Sequence, residues 1–386
     1  MKIVNSIKSN LIEYSVAGLM FLSIQPYFIW RIELLGLFIA FSFIVLSFIR
    51  CKGISKINSS YCLWILCLFL CFAIRDGKNI FGLIAVSLVC LILLFPTDYL
   101  CRVFDRFVKI YALLIIPSIV VYIIVVFGGI TSFPSQIIEP LNALKDYDYT
   151  QYPFLVMVNK LDAGAFRFMA YFDEPGVVGT ISGVLLFLRG LQLKNWETYP
   201  ILISGMFSLS LAFYLMLFAN ILLFQSFKVK IVFISLLSAL AIYFATDEVI
   251  GKLIFDRLEI EDGQLAGINR TTTNMDVFMK RFVNSDKFWF GYGDSYAQNV
   301  VNEGGASYKD LIVNYGIIGF ISLVIVSLTG AIKRLGFSIE LIIYIAVWAA
   351  IIYQRPFIFS LIYFFLLYIP LFYLKDRQNK RLYHHE

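Results

Sequence analysis

Long apolar runs separated by short polar breaks set the rhythm of this chain. The runs are Leu11 to Trp30, Leu34 to Ile49, Tyr61 to Ile74, Ile80 to Phe95, Val108 to Phe127 and Gly176 to Leu188. Tyr199 to Phe227, Ile231 to Thr246, Leu311 to Leu328, Phe337 to Tyr353 and Phe357 to Leu374 complete the series. Runs of this kind predict helices that cross about 30 Å of hydrocarbon, where only helices and closed barrels satisfy every backbone group. As one helix, Tyr199 to Phe227 would be about 43 Å long, well beyond that thickness. It reads as two helices that turn near Ser208 to Ser210, giving about twelve spans.

Charge decides the direction. With the N-terminus inside, the inner breaks hold Lys2 and Lys8, Arg50 to Lys56, Arg102 to Lys109, Arg189 and Lys194, Lys228 and Lys230, Lys333 and Arg334, and the tail from Lys375. That takes 18 of the 32 basic residues, as the positive-inside rule requires, and places both termini in the cytoplasm. A single span over 199 to 227 would put the basic tail outside. The first apolar run follows only two lysines and lacks a small-residue cleavage site, so it reads as the first span.

Composition agrees: 60% of the 386 residues are hydrophobic and only 15% are charged, with a mean hydropathy of +0.81. This excludes a water-soluble globule and predicts an all-α polytopic membrane protein with a single integral membrane domain over residues 1 to 386. The net charge of +6 is mostly the inside bias, so nothing points to nucleic acid. Six cysteines fall in spans or on the inner face, which implies no disulfide framework. Neither an internal repeat nor a nucleotide-binding motif is visible, and no metal or cofactor is expected.

Two stretches are too long for simple turns, residues 128 to 167 and 247 to 310, both outside in this topology. In each, acids outnumber bases and aromatic residues and amides are interleaved, a surface that suits a hydroxyl-rich partner. The first leads into RFMAYFDEPG, where Arg167, Asp173 and Glu174 stand just ahead of a span. Pro175 fits the first turn of that helix, and a carboxylate just before it is favoured by the helix dipole, so a charged cap is the plain reading of Glu174. A cap needs one acid, however, and the stretch has an arginine and two carboxylates. Arg270 in the second loop suits forked recognition of a diphosphate. Arg355, in YQRPF between apolar runs, is either a functional cation or a side chain that snorkels to the interface.

Taken in order, these residues resemble Wzy-type repeat-unit polymerases, the integral membrane polymerases of bacterial O-antigens and capsules. The likeness rests on Arg167 through Gly176, then Arg270, Gly291-Tyr-Gly293, Gly316-Ile-Ile-Gly319 and Gln354-Arg355-Pro356, over roughly residues 160 to 360. The resemblance implies a C-type membrane glycosyltransferase of the bacterial inner membrane, working in capsule or lipopolysaccharide biosynthesis. It implies an undecaprenyl-diphosphate-linked oligosaccharide as both donor and acceptor, and a chain-length regulator and a flippase as partners. Arg167, Arg270 and Arg355 would cradle the departing diphosphate; Glu174, with Asp173 second, would act as base or sugar anchor. Two alternatives stay open. O-antigen ligases carry a functional histidine in the large outside loop, whereas the two histidines here are His384 and His385 in the tail. A lipid-linked-oligosaccharide flippase can also have twelve spans but needs charges deep in its core, where Glu13 and Glu340 are the only carboxylates.

Overall fold

The apolar runs all become helices in the computed structural model. It describes residues 2–383 apart from 31, 33, 52, 130–132, 141–147, 159–166, 246–259, 262–263, 266–272, 294–295 and 297–307. The helices are α1 (Lys2–Leu22), α2 (Leu35–Cys51), α3 (Lys56–Arg75), α4 (Ile80–Leu91), α5 (Thr97–Tyr122), α6 (Pro175–Arg189) and α7 (Thr198–Phe207). After them come α8 (Leu211–Phe224), α9 (Phe227–Ala245), α10 (Thr273–Phe282), α11 (Tyr308–Leu335), α12 (Ile339–Gln354) and α13 (Leu361–Tyr383). Among the described residues, three stretches are long and apolar enough to cross a membrane: Asn58–Arg75, Thr97–Phe127 and Tyr308–Leu335. The other apolar helices found there run to 10–17 residues. The chain is therefore a mostly helical protein with the helices of a membrane protein.

The helix break anticipated at Ser208 to Ser210 is present, between the end of α7 at Phe207 and the start of α8 at Leu211. Other boundaries differ from the sequence expectation. The first run stops being helical at Leu22, because Pro26 and the left-handed Gln25 turn the chain into a short 3-10 segment, Tyr27–Ile29. Arg102, Arg106 and Lys109 were expected in a loop, yet they lie on α5. There the periodic apolar positions Val103, Phe104, Phe107 and Val108 are buried, so the basic residues occupy the opposite face of an amphipathic extension. The all-α expectation also lacks the short strands of the two long loops. The six cysteines are free thiols.

The chain divides into two compact units. One comprises Met1–Gln25, Arg31–Ile110 and Thr272–Glu386; the other comprises Pro26–Trp30 and Tyr111–Thr271. In the first unit α3 packs on α4, α1 on α2, and α11 on α3, α12 and α13. Its charged centre is Glu13, 1% exposed, whose Oε1 accepts from Arg50 Nη2 at 3.1 Å and from Arg102 Nε at 2.9 Å. Arg106 Nε lies 3.9 Å from the other carboxylate oxygen. A buried carboxylate needs such partners, since an isolated charge would be costly to desolvate.

The second unit is built around α6, which is buried on every side from Gly176 to Leu188. Gly179 and Gly183, four residues apart, admit the α7–α8 hairpin: a Cβ on Gly179 would lie 2.2 Å from the Ser210 Cβ, and one on Gly183 would lie 2.5 Å from the Met216 side chain. This is the small-residue spacing by which membrane helices approach closely. Hydroxyls stitch the interior, with Tyr111 3.1 Å from Ser182 and Ser182 3.2 Å from Ser204. At the far end of α6 the buried Asn220 donates to the Leu186 carbonyl at 2.7 Å and accepts from Leu191 N at 3.2 Å. It thereby satisfies backbone groups that the helix terminus leaves over.

Candidate functional site

The first long loop contains an antiparallel sheet, β1 (Gln136–Ile138), β2 (Tyr149–Tyr152) and β3 (Leu155–Val158), in the order β1-β2-β3. The β2–β3 turn has Pro153 followed by Phe154 at φ +65, the pattern of a type II turn with a non-glycine in the left-handed position. Ser118 of α5 donates to the Phe154 carbonyl and holds that turn. Tyr149, Val156 and Met169 form a buried core with Tyr27, Trp30, Ile138 and Val158 against it.

RFMAYFDEPG runs across this core and is tied along its length. Phe168 N donates to the Phe207 carbonyl at 2.9 Å, Val156 N to the Ala170 carbonyl at 2.7 Å, and Tyr27 N to the Tyr171 carbonyl at 2.8 Å. Ala170 takes a φ of +53, a conformation that costs an alanine about 1–2 kcal/mol and is held by these neighbours. The Tyr171 hydroxyl donates to the Leu114 carbonyl at 2.8 Å, and its ring stacks on Tyr27. Burial pushes the Tyr171 pKa up; a hydrogen bond with Ser118 opposes the shift and Tyr27 adds to it, so the hydroxyl stays a donor.

Phe168 to Phe172 are buried, whereas Arg167, Asp173 and Glu174 are half-buried at the two ends of the segment. Arg167 donates through Nε to the Ser208 carbonyl at 3.1 Å and through Nη2 to the Leu209 carbonyl at 3.4 Å. Two of its donors thus hold the α7–α8 turn, where Leu209 is left-handed at φ +49. Asp173 accepts from the Tyr149 hydroxyl at both its backbone carbonyl, 2.7 Å, and its Oδ1, 2.9 Å. Glu174 is the N-cap residue of α6 by backbone geometry, with Pro175 at the first helical position, but its side chain makes no capping hydrogen bond.

Arg270 lies outside the described residues. Arg355 belongs to the first unit, at the C-cap of α12, where its backbone N donates to the Ile351 carbonyl at 2.6 Å. At 2% exposed, it does not have the posture of a snorkelling side chain. The rings of Tyr308 and Tyr353 stack at 6.2 Å, which brings the start of α11 and the end of α12 together. Buried Asp310, Gln354 and Arg355 therefore share one end of that hairpin.

The two glycine motifs meet in the first unit. Gly316 has φ +73 and ψ +173 and interrupts α11, leaving carbonyls that the helix would otherwise use. Tyr292 N donates to the Val313 carbonyl at 2.9 Å and Gly293 N to the Asn314 carbonyl at 3.0 Å. Gly291 and Gly293 are also left-handed, and a Cβ on Gly291 would lie 2.3 Å from the Asn314 oxygen. Arg75 donates to the Gly291 carbonyl, and Asp76, 7% exposed, accepts from the Tyr315 hydroxyl at 2.7 Å. Against the loop, Tyr292 and Tyr296 stack at 3.9 Å above a cluster of Met275, Phe282, Ile312 and Val313.

Sequence reasoning missed Tyr149, Arg75, Asp76 and Tyr315. Arg75 and Asp76 stand together at the end of an apolar run, and that adjacency was the available signal. Tyr149 carried none, because its role depends on strand pairing. Among the described residues, no group of three or more His, Cys, Asp or Glu side chains is arranged to hold a metal ion. Comparison with family models, with curated proteins and with solved structures finds no significant match to this chain.

Proposed function

We propose that this chain is a membrane glycosyltransferase that polymerises oligosaccharide repeat units carried on undecaprenyl diphosphate. The observation that carries the reading is the RFMAYFDEPG segment: one arginine and two carboxylates, half-buried, on a backbone tied to a sheet and three helices. Catalytic groups work best when held by their surroundings before substrate arrives. The same segment heads the ordered set of motifs that resembles Wzy-type polymerases.

In the proposed reaction an acceptor sugar hydroxyl attacks the anomeric carbon of the growing chain. The bond from that carbon to the diphosphate oxygen breaks, and undecaprenyl diphosphate leaves with the electron pair. Glu174 takes the hydroxyl proton or anchors the sugar, with Asp173 beside it as a hydrogen-bond acceptor for sugar hydroxyls. Arg167, Arg270 and Arg355 receive the charge that develops on the diphosphate. This reading carries with it a C-type architecture of about twelve spans in a bacterial inner membrane, with the loops at 128 to 167 and 247 to 310 outside and both termini cytoplasmic. A chain-length regulator and a flippase are the partners such a polymerase would use.

Purified protein supplied with lipid-linked repeat units in detergent tests the proposal. Ladders of polymer are expected. Transfer of glycan to a lipid-core acceptor would make the chain a ligase, and translocation in vesicles without ladders would make it a flippase; either result overturns polymerisation.

A further inference from the structure

At one end of the first unit, α3, α5, α11 and α13 line a half-open cavity of about 800 Å³. This lies within the ~300–1,000 Å³ of typical ligand sites. Its wall is graded. On α11, Ile325 and Val326, then Thr329 and Gly330, then Lys333 and Arg334 follow one another at single-turn intervals along the lining. The walk from Ile325 to Lys333 covers about 12 Å of helix. On α3, Ser60 and Tyr61 precede Trp64, and α3 and α11 meet where Arg334 donates to Asn58. Both linings therefore grade from a polar, cationic end to an apolar, aromatic end, where Trp64 and Ile325 are exposed.

The mouth is positive. Lys333, Arg334 and Lys375 face Asp98 and Asp376, three cations against two carboxylates, and the N-terminal residues Thr97 and Asp98 of the 26-residue α5 line the same space. The positive end of that helix adds to the cationic field. Arg334 is positioned in advance: Asn58 holds it on one side, and its guanidinium carbon stands 4.4 Å from the centre of the Phe372 ring. Gly330 is required for this shape, since a Cβ there would lie 2.1 Å from the Tyr61 ring.

We propose that this cavity binds an anionic membrane phospholipid, with its phosphate at Lys333, Arg334 and Lys375 and the upper part of one acyl chain along Ile325, Val326 and Trp64. A soluble anion would match the cations but leave the apolar floor unused; a zwitterionic lipid would match the floor but carry its own cation into a positive mouth. Basic pockets between membrane helices select anionic headgroups for this reason.

Full-length protein in detergent should be titrated with phosphatidylglycerol bearing brominated acyl chains, while tryptophan emission is followed. Quenching is expected, and the part due to Trp64 should vanish in Trp64→Phe. Brominated phosphatidylcholine should bind about tenfold more weakly or worse, and the double variant Lys333→Gln, Lys375→Gln should lose a similar factor for phosphatidylglycerol alone. Both lysines are at or near the surface, so an unchanged melting temperature is the expected check on folding. Equal quenching by the two lipids, an unaffected double variant, or quenching that Trp64→Phe leaves intact would overturn the proposal. So would displacement of the lipid by inorganic phosphate at concentrations that bind more tightly than the lipid does, which would mark a soluble-anion site. Polymer ladders have no part in this test, so its outcome is separate from that of the glycosyltransferase reading.

Discussion

The hydroxyl of Tyr149 stands 2.7 Å from the backbone carbonyl and 2.9 Å from Oδ1 of Asp173, and so fixes both the chain and the side chain of one residue. Tyr149→Phe removes that donor with little change in volume. We expect a stability loss of about 1.5–3 kcal/mol, the worth of a hydrogen bond to a charged group. If Asp173 serves the reaction, polymer length should also fall at matched protein levels. Thermal unfolding and ladder analysis on the same preparations separate the two effects, and a full ladder with a lowered melting temperature would confine Tyr149 to structure.

Glu174→Gln addresses the neighbouring carboxylate. The dipole contribution of a carboxylate at a helix start is about 0.3–1 kcal/mol, and a melting temperature measured beside the ladder separates structural loss from chemical loss. Product should nevertheless collapse to single repeat units, because an amide cannot accept the proton. Normal ladders would return Glu174 to the role of a charged residue at a helix start.

Lysine in place of arginine distinguishes forked phosphate recognition from simple charge. Arg167→Lys also gives up the contacts to the Ser208 and Leu209 carbonyls, so its melting temperature should drop while Arg270→Lys and Arg355→Lys are compared at equal expression. Loss of a transition-state contact of about 3 kcal/mol slows turnover on the order of a hundredfold. Three variants with near-normal ladders would remove the diphosphate cradle from the mechanism.

The glycine junction makes a prediction that does not depend on chemistry. Gly291→Ala and Gly316→Ala each place a Cβ 2.3 Å from a backbone oxygen, at a φ of +74 and +73 respectively. Each should lower stability by several kcal/mol, combining left-handed strain with a clash against atoms that cannot turn away. Gly18→Ala, in α1, meets nothing within 4 Å and should be neutral or stabilising by about 0.5–1 kcal/mol. Unfolding midpoints of the three proteins would reveal whether the contrast holds.

Orientation is open to direct labelling. With the native cysteines replaced, single cysteines at Lys145 and Gln264 should react with an impermeant maleimide in intact spheroplasts, and one at Lys194 should not. Reaction at Lys194 instead would reverse the topology.

Much of this architecture was legible in the chain because hydrophobic run length is a strong constraint. The break at Ser208 to Ser210 followed from a run too long for one span, and α8 does begin at Leu211. Charge clusters misled at α5, where Arg102 and Arg106 look like a loop but are one face of a helix whose partner, Glu13, is 89 residues away. Arg167, Asp173 and Glu174 were visible as an unusual polar group before a span. What holds them was not: Tyr149 reaches Asp173 only after a strand pairs, and Ser208 reaches Arg167 only after two helices fold back. The glycine steps at 291 and 316 enter the sequence reading only through the family resemblance, since mutual contact between two backbones leaves no local trace in sequence.

The interruption at Gly316 has a mechanical consequence. Loop residues 289 to 293 cannot lift away from α11 without breaking the bonds to the Val313 and Asn314 carbonyls. The junction is therefore a clamp. The stretch from Trp289 to Gly293 moves with the helix as one piece.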